Sequence, residues 1–282
     1  PPGPAPRGSP PGRPGARADL TPLSPIFLLT DFGLQDAYVG QMKAVLLARA
    51  PGCVMVDLTH GIDPHDVLAG ARVLDEALPY LPRPSVILAV VDPGVGTQRR
   101  PIAVRWGDLL GVGPDNGLLE PLFSQPGAVV HTIDPRGVGV DTLSSTFHGR
   151  DLFAPVAAYL ASGGAVESVG PSLEQPERLD PYPGPTLTFD GWVGRVQDVD
   201  RFGNLITDLS EAHLAQGEAA VELPDGTRPR RVETYGQVEP GVLCALVGSG
   251  GWLEIAVNGG SAADVTGLGK GDGVRLLLLQ GR

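Results

Sequence analysis

Between Ile26 and Ala161 the period of apolar residues switches repeatedly from strand-like to helix-like, and this alternation most constrains the fold. The apolar run Ile26–Thr30 reads as a short buried strand. Asp36–Ala50 follows with Val39, Met42, Val45 and Leu46 at helical spacing, ended by Pro51-Gly52. Val54–Leu58 is a second strand, and Asp66–Leu78 a second amphipathic helix with Asp63 and Pro64 as its start signals. Val86–Val91 is a third, wholly apolar strand. Ile102–Trp106, Leu109–Val112 and Ala128–Ile133 add strands, Asn116–Phe123 a short helix, and Asp151–Ala161 a helix stopped by Ser162-Gly163-Gly164. Strands alternating with helices predict an α/β fold whose mainly parallel sheet is covered on both faces.

The pattern then changes. Gly170–Pro185 (GPSLEQPERLDPYPGP) is proline-rich and aperiodic and reads as a linker. Beyond it come LTFDGWVGRVQDVD, a hairpin through Pro224–Thr227, and the runs VLCALV, WLEIAV and VRLLLL. Thr186–Arg282 is therefore expected to be a separate, mostly β domain, sandwich-like or barrel-like. Pro1–Pro25, mostly proline, glycine, alanine and arginine, is expected to be a flexible tail or a vector remnant.

Charge and cysteine usage narrow the partners. A net charge of −11 argues against nucleic acid while leaving a cationic small molecule open. Cys53 and Cys244 lack metal or redox spacing and read as reduced thiols of a cytoplasmic protein. No run approaches the roughly 20 apolar residues that span a bilayer, and the N-terminus lacks the apolar core of a signal peptide.

In open α/β sheets, ligands bind beyond the carboxyl ends of the strands. The chain's polar clusters fall at such positions: Thr30-Asp31 with Asp36; Asp57-Leu58-Thr59-His60 with Asp63 and His65; Asp92-Pro93-Gly94 leading to Arg99 and Arg100; and Thr146 to Asp151 around His148. The second domain adds Asp200 to Asn204 and Ala256 to Ser261. Each has an ordinary explanation by itself. Asp31, Asp36, Asp63 and Asp151 read as helix caps or first-turn acids, Asp92 and Asn204 as turn residues, and Arg100 as a solvated cation. Two chemistries remain open from residue types alone. Asp31, His60, Asp92 and His148 would make a mixed metal site of a hydrolase. Alternatively an acid, an arginine and a histidine surround a water and aim it at an electrophilic carbon without a metal.

Seven motifs in order carry a more specific signal: TDFG with Asp36, DLTHGIDPHDV, VVDPGVGTQRR, GPDNGLLE, TFHGRDLFAPVAA, DRFGNLITDL and GWLEIAVNGGSA. From Ile26 to the C-terminus the chain resembles the S-adenosylmethionine hydroxide adenosyltransferases, relatives of fluorinase and chlorinase. The resemblance implies a Rossmann-like N-terminal domain (26–169), a smaller all-β C-terminal domain (186–282) and a homotrimer with active sites between subunits. It implies hydrolysis of S-adenosyl-L-methionine to adenosine and L-methionine, with no cofactor and no metal. The implied water-holding triad is Asp92, Arg99 and His148. The implied substrate contacts are Asp31 at the ribose, Asp36, Phe147, Asp200, Phe202 and Asn204, and Ser249, Asn258 and Gly259 near the adenine. Asp92 and His148 stand where the fluorinase has tyrosines, and a carboxylate at the halide position repels a halide. His65 replaces a tryptophan, and its role stays open. A halogenase, a metal-dependent hydrolase and a non-catalytic nucleoside sensor are the competing readings.

Overall fold

The computed structural model describes residues 23–140, 142–179, 184–215 and 219–278. In chain order the first part runs β1 (Ile26–Thr30), α1 (Tyr38–Arg49), β2 (Met55–Thr59), α2 (Val67–Ala77), β3 (Ser85–Val90), β4 (Pro101–Trp106), β5 (Leu109–Pro114), α3 (Glu120–Phe123), β6 (Val129–Thr132) and α4 (Ala154–Ala161). These strands form one six-stranded sheet in the order β2-β1-β3-β5-β4-β6. β1 and β3 bury every side chain, as continuous apolar runs do in the middle of a sheet covered on both faces. Met42, Leu46, Phe153 and Val156, from α1, α4 and the turn before α4, pack one face. Leu74, Leu118 and Leu122 pack the other.

The sheet is mixed. β1 pairs in parallel with β2 and β3, and β3 with β5, but β4 runs antiparallel to both β5 and β6. Only Gly107 and Asp108 separate β4 from β5, with Gly107 at φ 58°, so the connection is a hairpin and too short for a parallel crossover. Helix boundaries also differ from the sequence reading. Asp66, not Asp63, caps α2 by accepting from the Ala69 amide at 2.9 Å. The segment read as one helix from Asp151 is a π-helical turn, Gly149–Phe153, followed by α4. Asp151 lies inside that turn and does not cap it; its carboxylate accepts from the Ser144 amide at 2.9 Å and from the Arg150 side chain.

The proline-rich stretch is not a free linker as far as Leu179. It lies along the sheet edge, where the Thr132 amide donates to the Pro171 carbonyl at 2.9 Å and the Leu173 amide to Val130 at 2.8 Å. Buried Asp115 holds it down, accepting from Arg100 Nε at 2.7 Å and from the Glu177 amide at 2.8 Å. Arg100 is therefore tied into the fold, although its side chain stays partly exposed. Of the expected tail, residues 1–22 lie outside the described residues, and the Ser24 amide is tied to the Ala161 carbonyl at 3.0 Å.

The second part comprises β7 (Thr186–Thr188), β8 (Gly191–Val199), β9 (Leu205–Ser210), α5 (Glu211–Leu214), β10 (Ala219–Glu222), β11 (Arg230–Arg231), β12 (Leu243–Val247), β13 (Trp252–Val257), α6 (Ala262–Thr266) and β14 (Gly273–Leu278). Its sheet has the order β10-β14-β8-β9-β13-β12-β11, with β7 on β8. Val196, Leu205, Ile255 and Leu276 form its core. The turn at Pro224–Thr227 closes through a Leu223 amide to Thr227 carbonyl bond. Its flanking strands do not form the expected hairpin, because β10 pairs with β14 and β11 with β12. Arg72 of α2 reaches across to the Gln197 carbonyl at 2.9 Å, and Lys270 to Asp66, joining the two sheets.

Candidate active site

β3 delivers Asp92 to the sheet lip because Val86–Val91 is a wholly buried apolar run with no polar residue to stop it earlier. The chain then turns tightly through Pro93 to Thr97. Gly96 has φ 76° and lies on the Ser145 carbonyl, where any Cβ would collide with that oxygen. The turn folds Arg99 back. Its Nε donates to Asp92 Oδ1 at 2.9 Å and its Nη2 to Asp92 Oδ2, a bidentate pair. The Asp92 and Arg99 side chains are only 5% and 10% exposed, so neither charge would be tolerable alone.

Arg99 Nη2 also lies 3.1 Å from His148 Nδ1. A guanidinium can only donate, so Nδ1 is the acceptor and the imidazole proton sits on Nε2. Burial, and next the Arg99 charge, hold the His148 pKa below the ordinary imidazole value, against the opposing pull of Asp92 and Asp151. The three groups thus form a compact cluster: a compensated ion pair and a neutral imidazole. Asp92 and His148 line a cavity of about 370 Å³ together with Phe32, Tyr38, Gln41, Ser144, Phe147 and Arg150, while Arg99 braces the two from outside the lining. Phe147 is packed edge-on by Phe32 and Tyr38, with ring centroids 5.7 and 5.2 Å away.

Asp31 and Asp36 follow β1 but do not line this cavity. Asp31 Oδ2 accepts from the His65 amide at 2.9 Å. His65 has φ 70° and is the one non-glycine residue with positive φ among the described residues, so a strained backbone fastens Asp31. Asp36 is exposed. His60 is committed elsewhere: Nδ1 bonds Thr30 Oγ1 at 2.8 Å, and Nε2 lies 3.1 Å from Asp57 Oδ1, at ion-pair distance but outside hydrogen-bond geometry. The four-residue metal set read from the sequence is therefore not assembled. Among the described residues no three His, Cys, Asp or Glu side chains converge as ligands.

The candidates from the second part gather around a different cavity, of about 980 Å³, lined by Asp200, Phe202, Asn204, Ser249 and Gly259. Asp200 organises its floor, accepting from the Phe202 and Asn204 amides at 2.8 Å each and from Asn204 Nδ2 at 2.9 Å. Phe202 is left 76% exposed. Asn258 does not line the cavity; its Nδ2 donates to the Val238 carbonyl at 2.7 Å. Sequence reasoning missed a further pair here, Tyr235 donating to Glu254 at 2.8 Å. Burial and that carboxylate push the Tyr235 pKa up to about 12. The two cavities share no residue.

Residues 26–170 match the family described as SAM hydroxide adenosyltransferase, N-terminal domain, and residues 194–275 match its C-terminal domain. The chain belongs to the SAM hydroxide adenosyltransferase family. A Thermus thermophilus protein named (R)-S-adenosyl-L-methionine hydrolase is 44% identical over 274 residues, covering 90% of this chain and 100% of its own. A protein of the same name from Salinispora tropica is 43% identical, covering 91% and 99%. The crystal structure of an uncharacterized conserved protein from Thermotoga maritima superposes with a TM-score of 0.81 at 36% identity, covering 89% of this chain and 99% of that one. The smaller cavity falls wholly within the N-terminal family match and the larger within the C-terminal one.

Proposed function

We propose that this chain hydrolyses S-adenosyl-L-methionine to adenosine and L-methionine, by backside attack of water on the ribose C5′ carbon. The observation that carries the reading is the Asp92–Arg99–His148 cluster, whose Asp92 and His148 line a cavity. The sulfonium leaves as a neutral thioether, so the reaction requires neither an acid on the leaving group nor a resident metal or cofactor. What it requires is a water held about 3 Å behind C5′ whose proton is accepted as the new bond forms. The tautomer set by Arg99 makes His148 Nε2–H a donor toward the water oxygen. Asp92, with lone pairs beyond those taken by Arg99, accepts the proton, and the guanidinium stabilises the developing hydroxide. Asp31 and Asp36 hold the ribose end, and Phe147 packs on the nucleoside.

In this reading residues 26–169 are a Rossmann-like N-terminal domain, 170–185 the connection and 186–282 the β domain. Asp200, Phe202, Asn204, Ser249, Asn258 and Gly259 belong to the substrate contacts of a neighbouring subunit's site in a homotrimer. Two cavities with no shared residue support a site completed between chains. Two free, buried cysteines fit a reducing, cytoplasmic setting. Among the described residues no helix is long and apolar enough to cross a membrane.

Turnover in isotopically labelled water tests the proposal: the label enters the 5′ oxygen of adenosine and the rate survives excess chelator. Binding of S-adenosylmethionine without label incorporation selects the sensor reading instead, and loss of the rate with chelator the metal reading.

A further inference from the structure

We propose that Phe153, carried by the π-helical turn Gly149–Phe153, is a positioning residue that holds the Arg99 guanidinium in place between Asp92 and His148. Arg99 spends Nε and Nη2 on Asp92 and His148. Its third nitrogen, Nη1, is buried with no hydrogen-bond partner among the described residues. The Phe153 ring lies 5.1 Å from the guanidinium carbon, and Phe153 is fully buried. An aromatic face at this distance offers the cation electrostatic compensation that hydrogen bonds leave incomplete. The Arg99 stem also passes so close to Gly94 that an added Cβ would sit 3.1 Å from its Cγ.

The backbone explains how the ring gets there. His148 immediately precedes the turn and Phe153 ends it, five residues on. In an α-helix residues five apart point about 140° away from one another around the axis. The turn closes instead by an i→i+5 bond, the Ala154 amide donating to the Gly149 carbonyl, and that wider ring brings residues five apart back toward one face. Both side chains consequently reach Arg99. Regular α-helical winding would give up one of the two contacts. The π turn is the device by which one segment supports the guanidinium from two sides.

The inference rests on the proposed hydrolysis for its kinetic consequence but not for its geometric one, so the test has two arms. His148 is faced by Arg99 and Asp92 from the turn after β3 and by Asp151 from its own turn. An Arg99 released from Phe153 moves off His148, and the imidazole pKa climbs back toward its ordinary value. In histidine-labelled protein, replacing Phe153 with a ring-fluorinated phenylalanine, which keeps the shape and weakens the π face, raises the His148 titration midpoint. Phe153→Leu raises it further. Leu160→Ala, a core truncation in α4, leaves it where it was. The kinetic arm reads a fall in kcat of about tenfold for Phe153→Leu with KM within about twofold. An unchanged His148 midpoint in the fluorinated protein, or an equal shift in Leu160→Ala, overturns the positioning role. Absence of turnover in the unmodified protein overturns the proposed hydrolysis alone, because the titration still decides the role of Phe153.

Discussion

Arg99 neutralises a nearly buried carboxylate, and the proposed reaction adds a demand that pulls in a different direction, positive charge presented to a reacting oxygen. The bidentate fork solves the first, and Nη2, shared with His148, carries the charge from one cavity-lining residue to the other. Asp92→Asn keeps the shape and one acceptor for the fork while removing the carboxylate. Its kcat is expected to fall by about 10²–10³ with KM within about twofold, measured by adenosine release; an unchanged kcat would remove Asp92 from the chemistry. The pH dependence belongs to His148. Its pKa is depressed in the fold, so the imidazole stays neutral as pH falls past 6.5, where an unfolded histidine takes up its proton. The acid limb of kcat/KM that reports it therefore lies below pH 6.5, and the stability contributed by this residue is lost as pH drops through the same window. A limb centred above 6.5 would contradict the assigned environment. In the sequence the apolar strand ending on Asp92 and the glycine turn leading to Arg99, seven positions on, raised the pairing of those two, whereas the triad with His148 was legible only through the family resemblance. Tyr235 and Glu254 were not legible: they are 19 residues apart and meet only once the second sheet has formed.

At the scale of elements, strand positions could be read and strand directions could not. A buried run such as β3 looks the same in either direction, and only the two-residue connection Gly107-Asp108 reveals that β4 is reversed. The π turn left no mark in the periodicity, since a single i→i+5 step inside an apolar stretch does not change which residues are apolar. The docking of the proline-rich strap left no mark in the sequence for a related reason. Prolines donate no backbone hydrogen bond, but their carbonyls still accept, and Pro171 does so along the open edge beside β6. What fixes the strap is Asp115, a fully buried carboxyl with partners on both the sheet and the strap. Asp115→Asn should cost about 2 kcal/mol, because the buried amide loses the charge-assisted bond to Arg100, itself partly exposed. Native-state hydrogen exchange checks the local consequence: the Glu177 amide loses protection before the sheet opens. Undiminished protection at Glu177 would mean the strap is held by its edge hydrogen bonds alone.

At the scale of the molecule two cavities stand apart, and the proposed function makes them halves of one small-molecule site. The smaller cavity belongs to the end of β3 and the π turn, the larger to β12, β13 and the Asp200 turn, and the contacts that join the two sheets run through α2 instead. In the proposed assembly a substrate with a nucleoside and an amino-acid end touches both because one chain's N-terminal part faces another's C-terminal part. A head-to-tail arrangement of this kind closes into a ring when the rotation between subunits closes, as the proposed trimer requires. Complementation follows from that geometry. Asp92→Asn disables the N-terminal half-site and Asn204→Ala the C-terminal one, so each homo-oligomer is expected to be nearly inactive. After co-refolding equal amounts, about a quarter of the sites combine two intact halves, because each half is drawn independently from an intact pool of one in two. Activity should therefore recover to about a quarter of the unmodified level. It should stay at the level of the separate variants when the two are mixed without unfolding and subunits do not exchange. If the co-refolded mixture is no more active than its components while sedimentation shows mixed oligomers, both half-sites must lie in the same chain, and the division into two cavities would have to be bridged by a movement of the two sheets.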